Sequence, residues 1–376
     1  MSALLTHEPV VNKSRAITAN RLVVHAPSMD AACDALNQVA PNWPMQRTVL
    51  LGLSGIPLDA TLVEWELPEN TLIELPASLL ATAEGTQLAL ALTEKGIGLC
   101  VTNVGHGEKL PAGVPLRFGL IDVVSHPKVL HGVGVPLAVG LANAAGFDAA
   151  IAGGFAGATG WFFLNGGPKA HRLSPGHAQI VRVLNLVRHD AEIKEIEAAL
   201  KQDVALSYKL LRYINSAGFG LPVEVQSFRH AVTILGYDNL NKWLSLLLVT
   251  ASKEPGASAI MQAAIARGRF MEQVGQVFFD KSEHDNLFIT GAFSLLNVLL
   301  GTSIEAVLGE MHLPDAVTAA LTSRGGAYKP FLDLARSCET DSRLLGSQAE
   351  SLGLEFETIN RAQLSAVSFA DTLQAN

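Results

Sequence analysis

The spacing of apolar residues changes once along the chain, near residue 175, and that change limits the fold more than any other feature. Before it, short apolar runs recur: RLVVHA (21–26), TVLLGL (48–53), TLIEL (71–75), IGLCV (97–101), FGLIDVV (118–124), VPLAVGL (135–141) and the short AAIAGG (149–154). Helix-like stretches lie between them, such as 29–40 and 86–96. Strand and helix in alternation predict a parallel sheet. About seven or eight strands in so short a stretch predict a compact β/α barrel with helices short or missing, since such barrels usually use about 250 residues. After LNGGPKAHRLSPGH (164–177) only helical spacing remains. Ser174 and Pro175 read as an N-cap and a first-turn proline. Ile180, Val183, Leu184 and Val187 then form one stripe; Ile193, Ile196 and Leu200 form the next, behind Asp190 as a cap. With 376 residues, the chain divides into a barrel at 1–165, a linker at 166–178 and a helical domain at 179–376.

The bulk numbers narrow the function by exclusion. The net charge is −8, from 27 basic and 35 acidic residues, which does not favour a phosphate backbone as partner. Only 16% of residues are charged, so much of the surface is neutral or shared with a partner protein or a second copy. Cys33, Cys100 and Cys338 form no CxxC pair and read as reduced thiols of a cytoplasmic protein. The start, MSALLTHEPVV, carries no signal-peptide pattern. The most apolar long segment, LFITGAFSLLNVLLG (287–301), is shorter than the roughly 18 residues of a membrane span and reads as a core helix. GHGEK (105–109) lacks phosphate-loop spacing and no GxSxG elbow occurs, so no cofactor is expected. His189-Asp190 invites a metal hydrolase, yet Asp190 stands where a cap is wanted and His171, His177 and His230 complete no metal spacing. Trp243, Phe270 and Phe278 fall on core positions, while Trp43 and Trp65 stand in more polar surroundings suited to interface anchors.

Two segments carry a family resemblance. QDVALSYKLLRYINSAGFGLP (202–222) and VQSFRHAVTILGYDNLNKWLSLLL (225–248) resemble the HDOD domain, through Gln202, Asp203, Ala205 and Leu206, then Asn215, Ser216, Ala217 and Gly220, then Ala231, Leu235 and Gly236, with Trp243 on the following helix. Gly236 suits a left-handed position after a helix end. The resemblance implies an all-helical bundle of HD-like fold without the HD metal set. One group of HDOD proteins carries an EAL domain, the cyclic-di-GMP phosphodiesterase barrel, in front. EPVVNKSRAITANRLVVHAP (8–27) and AGFDAAIAGGFAGATGWFF (145–163) are similar to the opening and the ending of that domain.

An EAL barrel implies two divalent cations held by acids at strand ends, and such hard cations need mostly anionic oxygen ligands. Carried onto this chain, the first-strand glutamate falls on Arg21 and the next ligand on Gly52, while Glu74 is kept. The paired aspartates fall on Thr102 and Asn103. The lysine falls on Leu120 and one aspartate survives as Asp122. The last glutamates fall on Val139 and Ala142, and the glutamine on Thr159. Glu74 and Asp122 are expected to persist as buried hydrogen-bonding groups, or one of them to pair with Arg21. The expected architecture is α/β plus all-α: a degenerate TIM-like, EAL-like barrel followed by an HDOD bundle. The expected function is that of a bacterial regulatory protein, not an enzyme, acting through contacts with signalling proteins. A cyclic-di-GMP receptor and a divergent phosphodiesterase are the alternatives, and the lost polar set argues against nucleotide binding.

Overall fold

The computed structural model describes residues 3–104, 110–165, 175–202, 228–250, 256–340 and 342–374. Eight strands close into a barrel in chain order. They are β1 (Leu4–Asn12), β2 (Ile17–His25), β3 (Thr48–Ser54), β4 (Thr71–Pro76), β5 (Gly98–Thr102), β6 (Leu116–Asp122), β7 (Val135–Val139) and β8 (Gly157–Thr159). The parallel sheet expected from the alternation holds from β2 to β8. β1 runs antiparallel to both its neighbours, so the barrel is mixed. A tight turn makes this possible, in which Asn12 Oδ1 accepts from the N–H groups of Ser14 and Ala16 and Arg15 turns left-handed at φ 61°.

Period-two alternation sorts each strand between two apolar layers. Val10, Ala19, Leu50, Leu72, Cys100, Leu120 and Leu137 fill the barrel interior. Leu22, Val24, Val49, Leu51, Ile73, Leu75, Leu99, Val101, Ile121 and Ala138 face outward into a second cluster. Around it lie α1 (Met29–Val39), α2 (Thr61–Glu64), α3 (Ala77–Leu80), α4 (Ala83–Glu94) and α5 (Ala144–Ala152). The side chains of Ser28, Thr82 and Asn143 cap α1, α4 and α5. Among the described residues no helix joins β5 to β6 or β6 to β7, which is how the barrel stays short. AAIAGG does not form a strand: 149–152 close α5, capped from Asn143, and the last strand comes later, at 157–159.

The helical half begins at Pro175, inside the segment read as linker. Its helices are α6 (Pro175–Arg188), α7 (Ile193–Lys201), α8 (Phe228–Thr250), α9 (Ala257–Gly275), α10 (His284–Phe293), α11 (Leu296–Leu300), α12 (Ile304–Gly309), α13 (Asp315–Leu321), α14 (Lys329–Thr340), α15 (Ser342–Leu352) and α16 (Phe356–Gln374). The stripe Ile180, Val183, Leu184 and Val187 is buried as expected, with Ile196 and Leu200. The 287–301 segment is core, but split between α10 and α11, and no described helix is long and apolar enough to cross a membrane. Asp190 does not cap α7, whose N-cap is Glu192. Asp190 instead stands left-handed, at φ 50°, past the end of α6; its N–H donates to Val187 O and that of Ala191 to Leu186 O. This pair of bonds closes a Schellman motif. Trp243 and Phe270 are buried, whereas Phe278 is exposed and packs edge-on against Phe331. Trp43 is buried too, with its indole N–H on Asn70, so it anchors the barrel itself.

The two halves interlock. Because β1 and β2 form a hairpin, no barrel helix covers that side, and α16 packs there against β1 and α1. Leu364 of α16 and Ala259 of α9 belong to the barrel's outer core, and Leu4 of β1 belongs to the helical core. β8 pairs with β1 only at residues 10–12. Farther along that free edge, Asn360 takes the place of a strand, accepting from Leu5 N–H and donating to Ala3 O, so the edge is not left open.

Candidate functional site

The strand-end positions assigned by the EAL resemblance gather into one ring. Each lies two residues past an interior apolar residue: Arg21 after Ala19, Gly52 after Leu50, Glu74 after Leu72, Thr102 after Cys100, Asp122 after Leu120 and Val139 after Leu137. Period two therefore turns them all inward at the carboxyl end of the barrel. Thr159 joins through its register with Val10, and its hydroxyl is buried without a hydrogen-bond partner among the described residues. Leu120 sits one layer below, among the interior apolar residues. Asn103, left-handed at φ 53°, and Ala142 are exposed beyond the strand ends.

Two ring members, Arg21 and Glu74, are bonded together and to Glu8 of β1. Arg21 grips Glu74 with two parallel hydrogen bonds, Nε to Oε1 at 2.7 Å and Nη2 to Oε2 at 2.9 Å. Its third nitrogen, Nη1, donates to Glu8 Oε2 at 2.9 Å. The side chains of Arg21 and Glu74 are 16% and 4% exposed, so this is a largely buried, charge-assisted fork. Burial pulls the Arg21 guanidinium down, but the charges of Glu74 and Glu8 and their hydrogen bonds outweigh it and hold it above its ordinary value. The Cys100 thiol is pushed up by burial and by Glu74, and the His25 imidazole, at the rim, is lowered by burial and by Arg21. Gly52 has a steric reason, since a Cβ there would meet Glu74 Oε2 at 2.8 Å. Glu8 was not among the expected site residues. Its signal was the acid in EPVV, legible only once β1 is known to lie antiparallel with Glu8 opposite Arg21.

Asp122 corrects the expectation of two buried acids. It is exposed, and its carboxylate accepts from Val124 N–H at 3.0 Å and Ser125 Oγ at 2.8 Å. A cation pair of the EAL kind therefore finds a poor donor set. Both oxygens of Glu74 are taken by Arg21, Asp122 is turned to its own loop, and no group of three or more His, Cys, Asp or Glu suited to a metal occurs among the described residues. The residues present do not fit two divalent cations.

Beside the ring, a cleft of about 880 Å³ opens between the two halves. One wall is the carboxyl rim of β2 and β3, with His25, Pro27, Ser54 and Gly55. The other is the turn from α15 to α16, with Glu350, Glu355 and Phe356. Among the described residues its lining includes no Lys or Arg.

In the helical half, Gln202 follows α7 and accepts from Arg182 Nη1 at 2.8 Å. Gly236 breaks α8 at φ 71° and ψ 172°. Asp203, Leu206, Asn215, Ser216 and Gly220 lie outside the described residues, as do GHGEK and His171. His189 stacks edge-on against His312 at 4.4 Å.

Comparison with known proteins agrees with the helical half. The family model described as HDOD domain matches residues 175–301. The chain is 30% identical over 227 residues to a protein of Vibrio cholerae named cyclic di-GMP phosphodiesterase CdgJ, an alignment covering 58% of this chain and 52% of that protein. It is 26% identical over 203 residues to the uncharacterised protein YuxH of Bacillus subtilis, covering 52% and 49%. The chain thus spans about half the length of the curated relatives it matches. The expectation that this is not an enzyme is corrected here: a relative at 30% identity carries the name of a phosphodiesterase.

Proposed function

We propose that the chain has a signalling role connected with cyclic di-GMP, in which a barrel of the EAL kind and the HDOD-matching helical region work as one unit. The observation that carries this reading is the 227-residue match to a protein named as a cyclic di-GMP phosphodiesterase. The strand pattern supports it, because Arg21, Gly52, Glu74, Thr102, Asp122 and Val139, assigned one by one from the EAL resemblance, each lie two residues past an apolar residue of the barrel interior. In this reading the ring's cation for a phosphodiester is Arg21, which trades one of its carboxylates for a phosphate oxygen. Glu74 and Asp122 are the carboxylates within the ring. The test uses the full chain with cyclic di-GMP and Mn²⁺ or Mg²⁺, following heat of binding and formation of the linear dinucleotide together. Saturable binding or turnover that is lost in Arg21→Ala and Glu74→Gln is the expected result; neither binding nor turnover in the parent protein overturns it.

One observation favours a finer reading in which output passes through protein contacts. Val277 and Phe278, just past α9, are 77% and 44% exposed, and large apolar side chains so placed suit a partner surface. A photo-crosslinker at position 278, in the cells that make the protein, is expected to give a discrete adduct. Absence of any adduct ends this reading.

A further inference from the structure

The seam between barrel and helices holds a buried histidine that the ring does not use. On β1 and β2, alternation turns Glu8 and Arg21 into the barrel and their neighbours His7 and Asn20 out of it, toward the helical half. Both outward residues are buried. Asn20 Nδ2 donates to Asp371 Oδ2 of α16 at 3.0 Å, which leaves Asn20 Oδ1 as the acceptor facing His7 Nε2 at 2.9 Å. That assignment makes His7 the donor through Nε2–H, so a neutral ring carries its bare nitrogen at Nδ1. Asp371 also accepts from Arg47 Nε at 2.8 Å and from Gln262 Nε2. The His7 ring meets Trp161 edge-on at 5.6 Å and borders a cavity of about 30 Å³, together with Arg267, Cys338, Glu339 and Gln363.

Charges in this seam are matched when His7 is neutral. Those around the ring come from every packed element: Glu8 on its own strand, Asp371 on α16, Arg267 on α9, Glu339 and Arg336 on α14, and Arg47 ahead of β3. Asp371 is already satisfied by Arg47, Glu339 by the fork of Arg267, and Glu8 by Arg21 across the sheet. A proton added at Nδ1 has no carboxylate left to itself. The cavity beside the ring is otherwise lined mostly by apolar side chains, Phe270, Ala335, Ala366 and Val367, with the neutral amide of Gln363 among them, and a charge there without a counter-charge is costly.

We propose that His7 is a proton-sensitive latch, which holds the β1–β2 hairpin to α9 and α16 while neutral and releases α16 from the hairpin when protonated. Burial lowers the imidazole below its ordinary 6.5, against the opposing pull of Asn20, Asp371, Glu8 and Glu339. The folded seam thus binds fewer protons than the opened one. The stabilisation is complete above 6.5 and is lost as pH falls below it, by at most about tenfold in the opening equilibrium per pH unit for one proton. Because the same hairpin carries Glu8 and Arg21, opening also loosens the ring. The inference rests on the seam alone, so it stands apart from whether the barrel takes a nucleotide.

Hydrogen exchange between pH 8 and 5, corrected for intrinsic rates, tests it. Peptides covering 4–10 and 356–374 are expected to lose protection by up to about tenfold per unit below pH 6.5, with α6 unchanged, and His7→Gln is expected to remove that dependence. The same pH dependence in the variant, or none in the parent, overturns the latch. Should the variant fail to fold, the His7 ring of the parent decides by NMR titration: a midpoint below 6.5 supports the proposal, and one at or above 6.5 overturns it.

Discussion

Position 52 lacks a side chain so that Glu74 can keep its place. The far end of a glutamate normally swings aside at little cost, but both oxygens of Glu74 are held by Arg21, so an added methyl at 52 has nothing soft to push against. Gly52→Ala should therefore destabilise by about 1–3 kcal/mol, the usual cost of overpacking, and by much less in a Glu74→Ala background. Urea midpoints at constant slope measure both, and the coupling in the double-mutant cycle reports whether the fork is what resists. Arg21 is the costlier loss. Arg21→Met leaves Glu74 buried with no counter-charge, which predicts about 3–5 kcal/mol, whereas Glu74→Gln leaves Arg21 its bond to Glu8 and should cost clearly less in the same assay. If Arg21→Met proves neutral, the fork is not what holds the ring.

Elements were legible where both layers of a strand, or one face of a helix, are apolar, because burial alone then sets the pattern. The strand runs at 48–53, 71–75 and 97–101 and the stripe from Ile180 to Val187 are of this kind. β1 was hidden because His7, Glu8 and Pro9 interrupt its run, and the first two are there for partners distant in sequence, Asn20 and Arg21. β8 has only three residues, too few to show a period. Asp190 misled because the same side chain that caps one helix also tolerates the left-handed turn that ends the previous one. The ring was placed residue by residue from the EAL resemblance, yet Glu8 and the true setting of Asp122 depended on register and loop geometry that no local pattern carries. Gly236 was expected left-handed after a helix end, and its positive φ agrees, but its ψ of 172° is extended. That corner of backbone space is open to glycine almost alone. Among the described residues a Cβ at 236 meets nothing within 4 Å, so the expected cost of Gly236→Ala is backbone strain, about 1–3 kcal/mol. A midpoint unchanged in thermal or urea unfolding would mean that the break between the two helical stretches is set elsewhere.

For the molecule as a whole, the seam decides whether barrel and helices behave as two domains or one. Its polar centre is Asp371, with a fully buried carboxylate that takes Arg47, Asn20 and Gln262 at once. Around it the apolar layers cross over, with Leu364 and Ala259 in the barrel core and Leu4 in the helical core. Asp371→Ala removes the counter-charge of Arg47, which keeps its bond to Ile17 O, and the acceptor of two buried amide donors, so it should cost about 3–5 kcal/mol. The crossed apolar layers survive that substitution, and they tie the stability of each half to the other. The expected outcome is a single transition displaced to lower urea, with tryptophan fluorescence and far-ultraviolet circular dichroism still coincident, as a two-state unit requires. Curves that separate in the variant but not in the parent would mean that the polar cluster alone joins two independent domains. Curves that separate already in the parent would mean that the shared core is too thin to couple them.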